Sequence, residues 1–392
     1  MSNSFSIFEP SLEHKSLREM LARFVRQDLE KQAAEFDKQE KFNKDLFCKL
    51  GPLGILGLLI QEEELGGAGM DFTAAVLVHE ELSSSDPGFC LSYLAHSVLC
   101  AHNIYKNANE EQKNKFLPPL CKGDKIGAMA MSEPDCGTDV LAMKTKAEKK
   151  GANYVLNGRK MWITNGSLDE NKTPCDYCLV YAKTGDKLST FVVEKSFKGF
   201  SVGQKIEDKL GMRSSNTAEL VFENCEVPET HRIGEEGESL IHMMKNLEVE
   251  RLTLAAMSLG IARRCLKEMN RYASERTSFG KKIRKFGQIQ KHLAQSYAEY
   301  KSARTYLYDV ARSLGDSTKK HRLDTDAVKL ISSQIGKNIA DRSIQVLGGY
   351  GYVGEYHVER FWRDSKLLEI GGGTIESLEK NISKDLDGFS QF

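Results

Sequence analysis

The chain has no net charge to offer a partner. Its 392 residues carry 55 Lys+Arg against 55 Asp+Glu, so no overall field draws it to nucleic acid or to an anionic membrane. It lacks a membrane span as well. The longest apolar stretches, such as 51–60, fall far short of the ~20 residues a helix needs to cross a bilayer. A targeting segment is missing too: residues 1–9 have no basic region ahead of an apolar one, and Glu9 comes early. A bacterial cytoplasm is the expectation, or a mitochondrial matrix once a presequence is removed. Repeats and low-complexity tracts are absent. The nine cysteines are an odd number, and most sit in apolar segments (Cys48, Cys90, Cys100, Cys265), which suits a reducing compartment. Cys175 and Cys178 form a lone CxxC. With no second Cys/His pair at suitable spacing, it is no zinc site and reads as the start of a strand.

What is present is an ordinary globular composition, too long for one core, so two or three domains are expected. Residues 1–125 read as helices. Leu17, Leu21, Phe24 and Val25 make one stripe, 44–59 and 73–82 are similarly periodic, and Asn109 is a helix N-cap. After 126 the period changes. Residues 154–163 read as a hairpin around Asn157-Gly158, and 177–181, 190–193 and 217–222 read as strands. From 236 amphipathic runs cover 239–272, 287–313 and 324–347, the last with Ile331, Ile335 and Ile339 as its core stripe. The predicted fold class is α+β multidomain: an N-terminal helical domain (1–125), a small β-barrel-like middle domain (126–235) and a C-terminal helical domain (236–392).

Within the third region one stretch stands out. Leu247, Glu250 and Leu254 share a helix face, which puts a carboxylate in an apolar stripe. Glu248 and Arg251, at i and i+3, can pair beside it. Glu250 has no basic residue at i±4, so it is either a base whose pKa burial raises or a helix-edge Glu reaching water by its own length. The stretch alone favours the second. Gly349, Gly351 and Gly354 match GxGxxG, but a helix precedes them where a dinucleotide fingerprint needs a strand. Gly371-Gly372-Gly373 is either a helix C-cap or a pocket wall with an amide donor. Residues 131–139 form a tight polar turn between the first two regions, and Trp162 and Thr164 follow the expected hairpin.

Taken in order, several stretches resemble the acyl-CoA dehydrogenase family, and within it the isovaleryl-CoA members. They are Leu91-Ser-Tyr-Leu-Ala-His-Ser-Val-Leu-Cys100, Ala130-Met-Ser-Glu-Pro134, Tyr154-Val-Leu-Asn-Gly-Arg-Lys-Met-Trp-Ile-Thr-Asn-Gly166, Lys209-Leu-Gly-Met-Arg-Ser-Ser-Asn-Thr217, Glu250-Arg-Leu252 and Glu369-Ile-Gly-Gly-Gly-Thr374. The resemblance implies a C-terminal four-helix bundle and bound FAD. Met129, Met131 and Ser132 would meet one side of the flavin. Trp162 and Thr164 would lie at its other edge, the Thr164 hydroxyl near the hydride-accepting N5. Thr138 matches a contact to FAD or the pantetheine arm. Arg276, Phe279, Gln345 and Gly349 match holders of the adenine and diphosphate end, several of them across a dimer interface, so a homotetramer is implied. Thr374 and Glu376 complete the cofactor set, and Ser132, Arg251 and Gly371 the substrate set. Electrons would pass to an electron-transfer flavoprotein.

The chemistry needs a base for the weakly acidic proton α to a thioester carbonyl, and an apolar pocket tunes a carboxylate for that task. By resemblance, the Gly372 N–H and a ribityl hydroxyl polarise the carbonyl. Many short- and medium-chain members carry the catalytic Glu where this chain has Gly372, whereas isovaleryl-CoA and long-chain members carry it at the position of Glu250. Gly371 replaces a bulky aromatic, which favours a branched acyl group. Other differences from the family are Gly287 followed by Gln288 in place of a Gln, Leu65 in place of a Tyr, a tail after Thr374 short of basic residues, and extra loop residues at 168–174. The expected reaction is oxidation of a short branched acyl-CoA to its 2,3-enoyl-CoA. The alternatives are a straight- or long-chain acyl-CoA dehydrogenase, a dehydrogenase of a carrier-protein-tethered acyl or prolyl group, and a flavin-bound relative that no longer dehydrogenates.

Overall fold

The computed structural model describes residues 6–316 and 320–387. Helix α1 (Leu12–Phe24) is capped by the Ser11 hydroxyl and runs through a π-helical turn at Val25–Leu29 into α2 (Glu30–Gln39). The helix expected over 44–59 is only the five residues of α3 (Lys44–Cys48). Gly51, Pro52 and Gly54 follow it, and Gly54 is left-handed at φ +74°. The apolar residues 55–60 are buried as turns instead. Then come α4 (Phe72–Ser83), α5 (Pro87–Leu94), a π-helical stretch Ala95–His102, α6 (Asn103–Asn107) and α7 (Glu110–Lys122). Asn109 and Gln112 form a capping box at the start of α7.

The strands are β1 (Gly127–Ala130), β2 (Lys146–Lys150), β3 (Asn153–Thr164), β4 (Tyr177–Thr184), β5 (Lys187–Glu194), β6 (Phe200–Lys205), β7 (Thr217–Pro228) and β8 (Arg232–Ile233). They pair in the order β6-β7-β3-β2-β4-β5-β8, with β1 parallel to β4. Among the described residues β6 and β8 do not meet, so the sheet is open and the barrel-like expectation is corrected. The expected hairpin at Asn157-Gly158 is one continuous strand, β3. Its register against β7 slips between Leu156 and Gly158. Gly158 is there for close approach, since a Cβ on it would lie 2.4 Å from Thr145 Oγ1. The Asn-Gly pair makes a bulge, not a turn.

The last region holds α8 (Ser239–Glu275), the short strands β9 (Thr277–Ser278) and β10 (Lys281–Lys282), α9 (Gly287–Ser313), α10 (Arg322–Leu347), α11 (Gly349–Tyr352), α12 (Val358–Leu367) and α13 (Ile375–Leu386). Helix α8 is buried on every side from 249 to 262 because α4, α9 and α10 all pack on it. Gly260 lets α4 come close and Gly336 does the same for α10: a Cβ on either would lie under 3 Å from a neighbouring helix. Small residues therefore line the buried face of α10 (Ser332, Ser333, Gly336, Ala340). This displaces the expected Ile stripe. Ile339 is buried, but Ile331 is exposed, because steps of four residues drift around a 3.6-residue helix. One apolar core runs through all three regions.

Candidate active site

Glu250 lies on α8 where that helix passes α10 and the glycine turn between α12 and α13. Its carboxylate is buried, and Oε2 accepts no hydrogen bond. Burial pushes its pKa up to about 7, while the nearby charges of Arg251 and Lys329 pull the other way. The expected Glu248–Arg251 pair does not form. Arg251 instead gives an Nη1 hydrogen bond to Asp326 and donates through Nε to the Gly372 carbonyl at 3.0 Å. It therefore reaches the site by holding the turn. Asp326 in turn accepts from Asn381 at 3.0 Å. Lys329, also buried, donates to the Gly373 carbonyl at 2.6 Å.

The turn itself starts where Gly371 N–H closes on the Leu367 carbonyl at 2.8 Å. Gly372 (φ +64°) and Gly373 (φ +105°) then take left-handed backbone that side chains resist. A Cβ on Gly372 would strike Leu254 Cδ1 at 2.3 Å and stand 3.5 Å from Glu250 Oε1. A side chain at 372 would have to displace Leu254 and take up left-handed backbone, so the position favours glycine while Leu254 occupies the facing helix. Gly371 differs: its Cβ would meet nothing closer than the Leu367 carbonyl at 3.6 Å, so the glycine there leaves space and is not forced by packing. The Gly372 N–H donates to no backbone carbonyl. The wall that carries the carboxylate thus also carries an unspent amide donor.

Beside α8, β1 and β3 form a second surface. Trp162 sits on a bulge of β3 at φ +65° and is 62% exposed. More than half of its surface is left open by the described residues. Beside it Met161 N–H donates to the Ser132 carbonyl at 2.9 Å, joining the 131–132 segment to the strand that bears Trp162 and Thr164. Met129 on β1 meets Asn246 of α8, one turn before Glu250, with Nδ2 3.9 Å from its sulfur. Met129, Met131, Ser132, Trp162 and Thr164 therefore form one connected surface reaching Glu250's own helix. A bare indole with half-buried thioethers and hydroxyls at its edges fits a flat, polar-rimmed ring such as a flavin. Thr138 is exposed beyond Cys136. The Thr374 hydroxyl N-caps α13, and Glu376 is exposed in that helix's first turn.

The remaining expected cofactor residues lie elsewhere. Arg276 and Gly349 line a groove of about 580 Å³ with Tyr272 and Tyr350; Phe279, at 93% exposed, projects from the chain, and Gln345 is exposed on α10. Glu250, a third of the way along α8, and Arg276, just past its end, stand ~39 Å apart at 1.5 Å per residue. An extended dinucleotide does not span that distance, so the structure does not bring the two groups together within one chain. Gly349–Tyr352 is itself a short helix following α10, so the GxGxxG match has no strand before it.

The sequence reading passed over Lys329, Asp326 and Lys160. Lys160 is fully buried, and its ammonium bonds the Met131 carbonyl at 3.0 Å and Glu133 at 2.9 Å beneath the 131–132 segment. Asp326 and Lys329 carried a usable signal: charges three residues apart on the small-residue face of α10. All nine cysteines are free, and no cluster of metal-ligating residues occurs among the described residues. No described helix is long and apolar enough to cross a membrane.

Family models describing the acyl-CoA dehydrogenase N-terminal, middle and C-terminal domains match residues 11–124, 128–225 and 240–386. The chain is 41% identical over 377 residues to isovaleryl-CoA dehydrogenase, mitochondrial, of Pongo abelii, covering 93% of this chain and 86% of that protein. Butyryl-CoA dehydrogenase from Megasphaera elsdenii superposes with a TM-score of 0.91 at 33% identity, over 98% of this chain and all of that one. A glutaryl-CoA dehydrogenase from Mycobacterium smegmatis in complex with FADH2 gives 0.90 at 29%, over 97% and 96%. With three domain models matched in order and relatives of about 40% identity over most of the chain, it belongs to the acyl-CoA dehydrogenase family of flavin-dependent oxidoreductases acting on acyl-CoA.

Proposed function

We propose that the protein oxidises a short branched acyl-CoA of the isovaleryl type to its 2,3-enoyl-CoA, with Glu250 as the α-proton base. The observation that carries this reading is the buried Glu250 carboxylate, with Oε2 unpartnered, facing a glycine in left-handed backbone. The base takes the proton at one carboxylate oxygen, and its raised pKa keeps it close to the operating pH. The Gly372 N–H is the donor for the thioester oxygen, and Arg251 and Lys329 hold the two neighbouring carbonyls of the turn. FAD, when bound, supplies the hydride acceptor; Met129, Met131, Ser132, Trp162 and Thr164 would hold its ring, with Thr138, Thr374 and Glu376 nearby. Arg276, Phe279, Gln345 and Gly349 are assigned to the adenine and diphosphate end of a neighbouring subunit's FAD. The ~39 Å along α8 supports that assignment and with it a homo-oligomer, a tetramer on the family pattern. An electron-transfer flavoprotein is the proposed acceptor.

The open space at Gly371 supports a branched acyl group. The test is a panel of thioesters assayed with a dye acceptor: isovaleryl-, butyryl-, glutaryl- and long-chain acyl-CoA, and the same acyl groups on a carrier protein. Isovaleryl-CoA should have the highest kcat/KM. Gly371→Phe should cost it at least tenfold while butyryl-CoA changes less, since each methylene that no longer fits is worth ~1–3 kcal/mol. A carrier-protein substrate ahead of every CoA thioester would overturn the assignment.

A further inference from the structure

The turn that carries the amide donor is held by two cations, and only one of them has a counter-ion. Arg251 is ion-paired with Asp326. Lys329 makes no ion pair among the described residues; its ammonium is fully buried with the Gly373 carbonyl as its hydrogen-bond partner. A buried ammonium without a counter-ion is costly, and its place is therefore informative. The charged groups that act on it come from every side: Glu250 and Arg251 from α8, Asp326 from its own helix, Glu369 from the turn, and Glu376 of α13. Glu250 has the largest influence of these. Glu369 is engaged by Lys366, and Glu376 is exposed.

We propose that Lys329 is a positioning residue for proton abstraction: it fixes the glycine turn through the Gly373 carbonyl and holds the Glu250 carboxylate in a positive field. This rests on Glu250 being the base. The field acts on one side of the reaction only. Before proton transfer the ammonium attracts a carboxylate, and afterwards it faces a neutral acid. Lys329 thereby offsets part of the burial that raises Glu250, keeping enough of the base ionised near neutral pH. Burial in turn pulls the Lys329 pKa down to about 8, so the cation is present over the range in which Glu250 ionises.

The test is the pH profile of kcat/KM for Lys329→Met and Lys329→Arg in the flavin-loaded enzyme. An opposite charge nearby lowers a carboxylate pKa by ~1–3 units, so removing it should move the acidic limb of Lys329→Met up by at least ~1 unit. The deficit should then be about fivefold or more at pH 7 and shrink towards pH 9. Lys329→Arg should return the limb to near its native position. A folded, flavin-loaded Lys329→Met with an unmoved acidic limb, or a deficit equal at pH 7 and pH 9, overturns the proposal. If Lys329→Met does not fold, Lys329→Gln gives the same readout. If neither loads flavin, the residue is structural and the proposal fails. Glu250→Gln is run in parallel: native turnover there sinks the base assignment itself, whatever Lys329 does.

Discussion

Glu80 and Glu250 are both buried carboxylates, on α4 and α8, helices that pack against each other. Their surroundings differ in one respect, the supply of donors. Glu80 takes a bidentate pair from Arg304, at 2.8 and 2.9 Å, and a hydrogen bond from Tyr308 at 2.8 Å. Arg263 and Arg18 add their charge. Burial alone would raise its pKa, but these cations overcome it and hold the carboxyl below the usual range. Glu250 meets the same burial with one oxygen unpartnered, and the balance falls the other way. Burial makes a carboxylate expensive, and partners decide whether it becomes a fixed ion or a base.

Exchanging roles is the strongest way to break this contrast. Glu250→Gln keeps the shape and removes the proton acceptor, so dehydrogenation should fall by ~10³, the middle of the range a positioned base contributes, with the flavin spectrum intact and no loss of stability. Glu80→Gln should do the reverse. It strands Arg304 and Tyr308 in the interior and should cost about 3–5 kcal/mol in denaturant unfolding, while activity per bound flavin changes by no more than a few-fold. A Glu80 variant that keeps native stability but loses turnover would dissolve the distinction.

Local sequence could not have drawn it. Glu80 has Val76 and Ser84 at i±4, and Glu250 has Asn246 and Leu254; neither has a basic neighbour one turn away. Both sit in apolar helical stripes. The cations that make Glu80 an ion come from α1, α8 and α9; of the two that bear on Glu250, Arg251 is its neighbour in sequence but spends its donors on Asp326 and the Gly372 carbonyl, and Lys329 comes from α10. Glu250 could be proposed as the base only because Gly372 leaves the other family seat of the base empty, and the left-handed backbone at Gly372 suits that glycine. Long periodic helices were legible too: α9 spans the residues the period marks, and α8 and α10 differ by a few at their ends. The Asn157-Gly158 bulge was misread because the pair suits a turn as well as a bulge. The end of α3 and the outward Ile331 were misread because close packing, with its glycines and small residues, overrides apolar periodicity.

The same contrast predicts a pH-dependent stability. Glu250 has a folded pKa near 7, above its unfolded value of 4.5. Its protonated form therefore fits the fold at no electrostatic cost below the unfolded pKa, and that advantage is lost as pH rises through about 7. Glu250→Gln, which never ionises, should match the native protein in unfolding free energy at pH 4. At pH 8 it should exceed it by on the order of 3 kcal/mol. The acidic limb of native kcat/KM should fall near pH 7, because the carboxylate is the active form. Equal stability of the two proteins at pH 8 would mean that the carboxylate finds partners in solution.

Tyr308→Phe is the finest test, because it removes one donor from Glu80 and leaves the guanidinium pair in place. A hydrogen bond to a charged group is worth ~1.5–3 kcal/mol, and the lost hydroxyl also accepts from Arg18 at 3.1 Å. The unfolding free energy should drop by about 2 kcal/mol, well short of the loss in Glu80→Gln. Turnover and its acidic limb should stay where they are, since Glu80 remains ionised by Arg304. If the limb moved with Tyr308, the two carboxylates would share one electrostatic network across α4 and α8. An unmoved limb with a clear stability loss would establish that donors around Glu80 secure the fold while their scarcity around Glu250 leaves that carboxylate reactive.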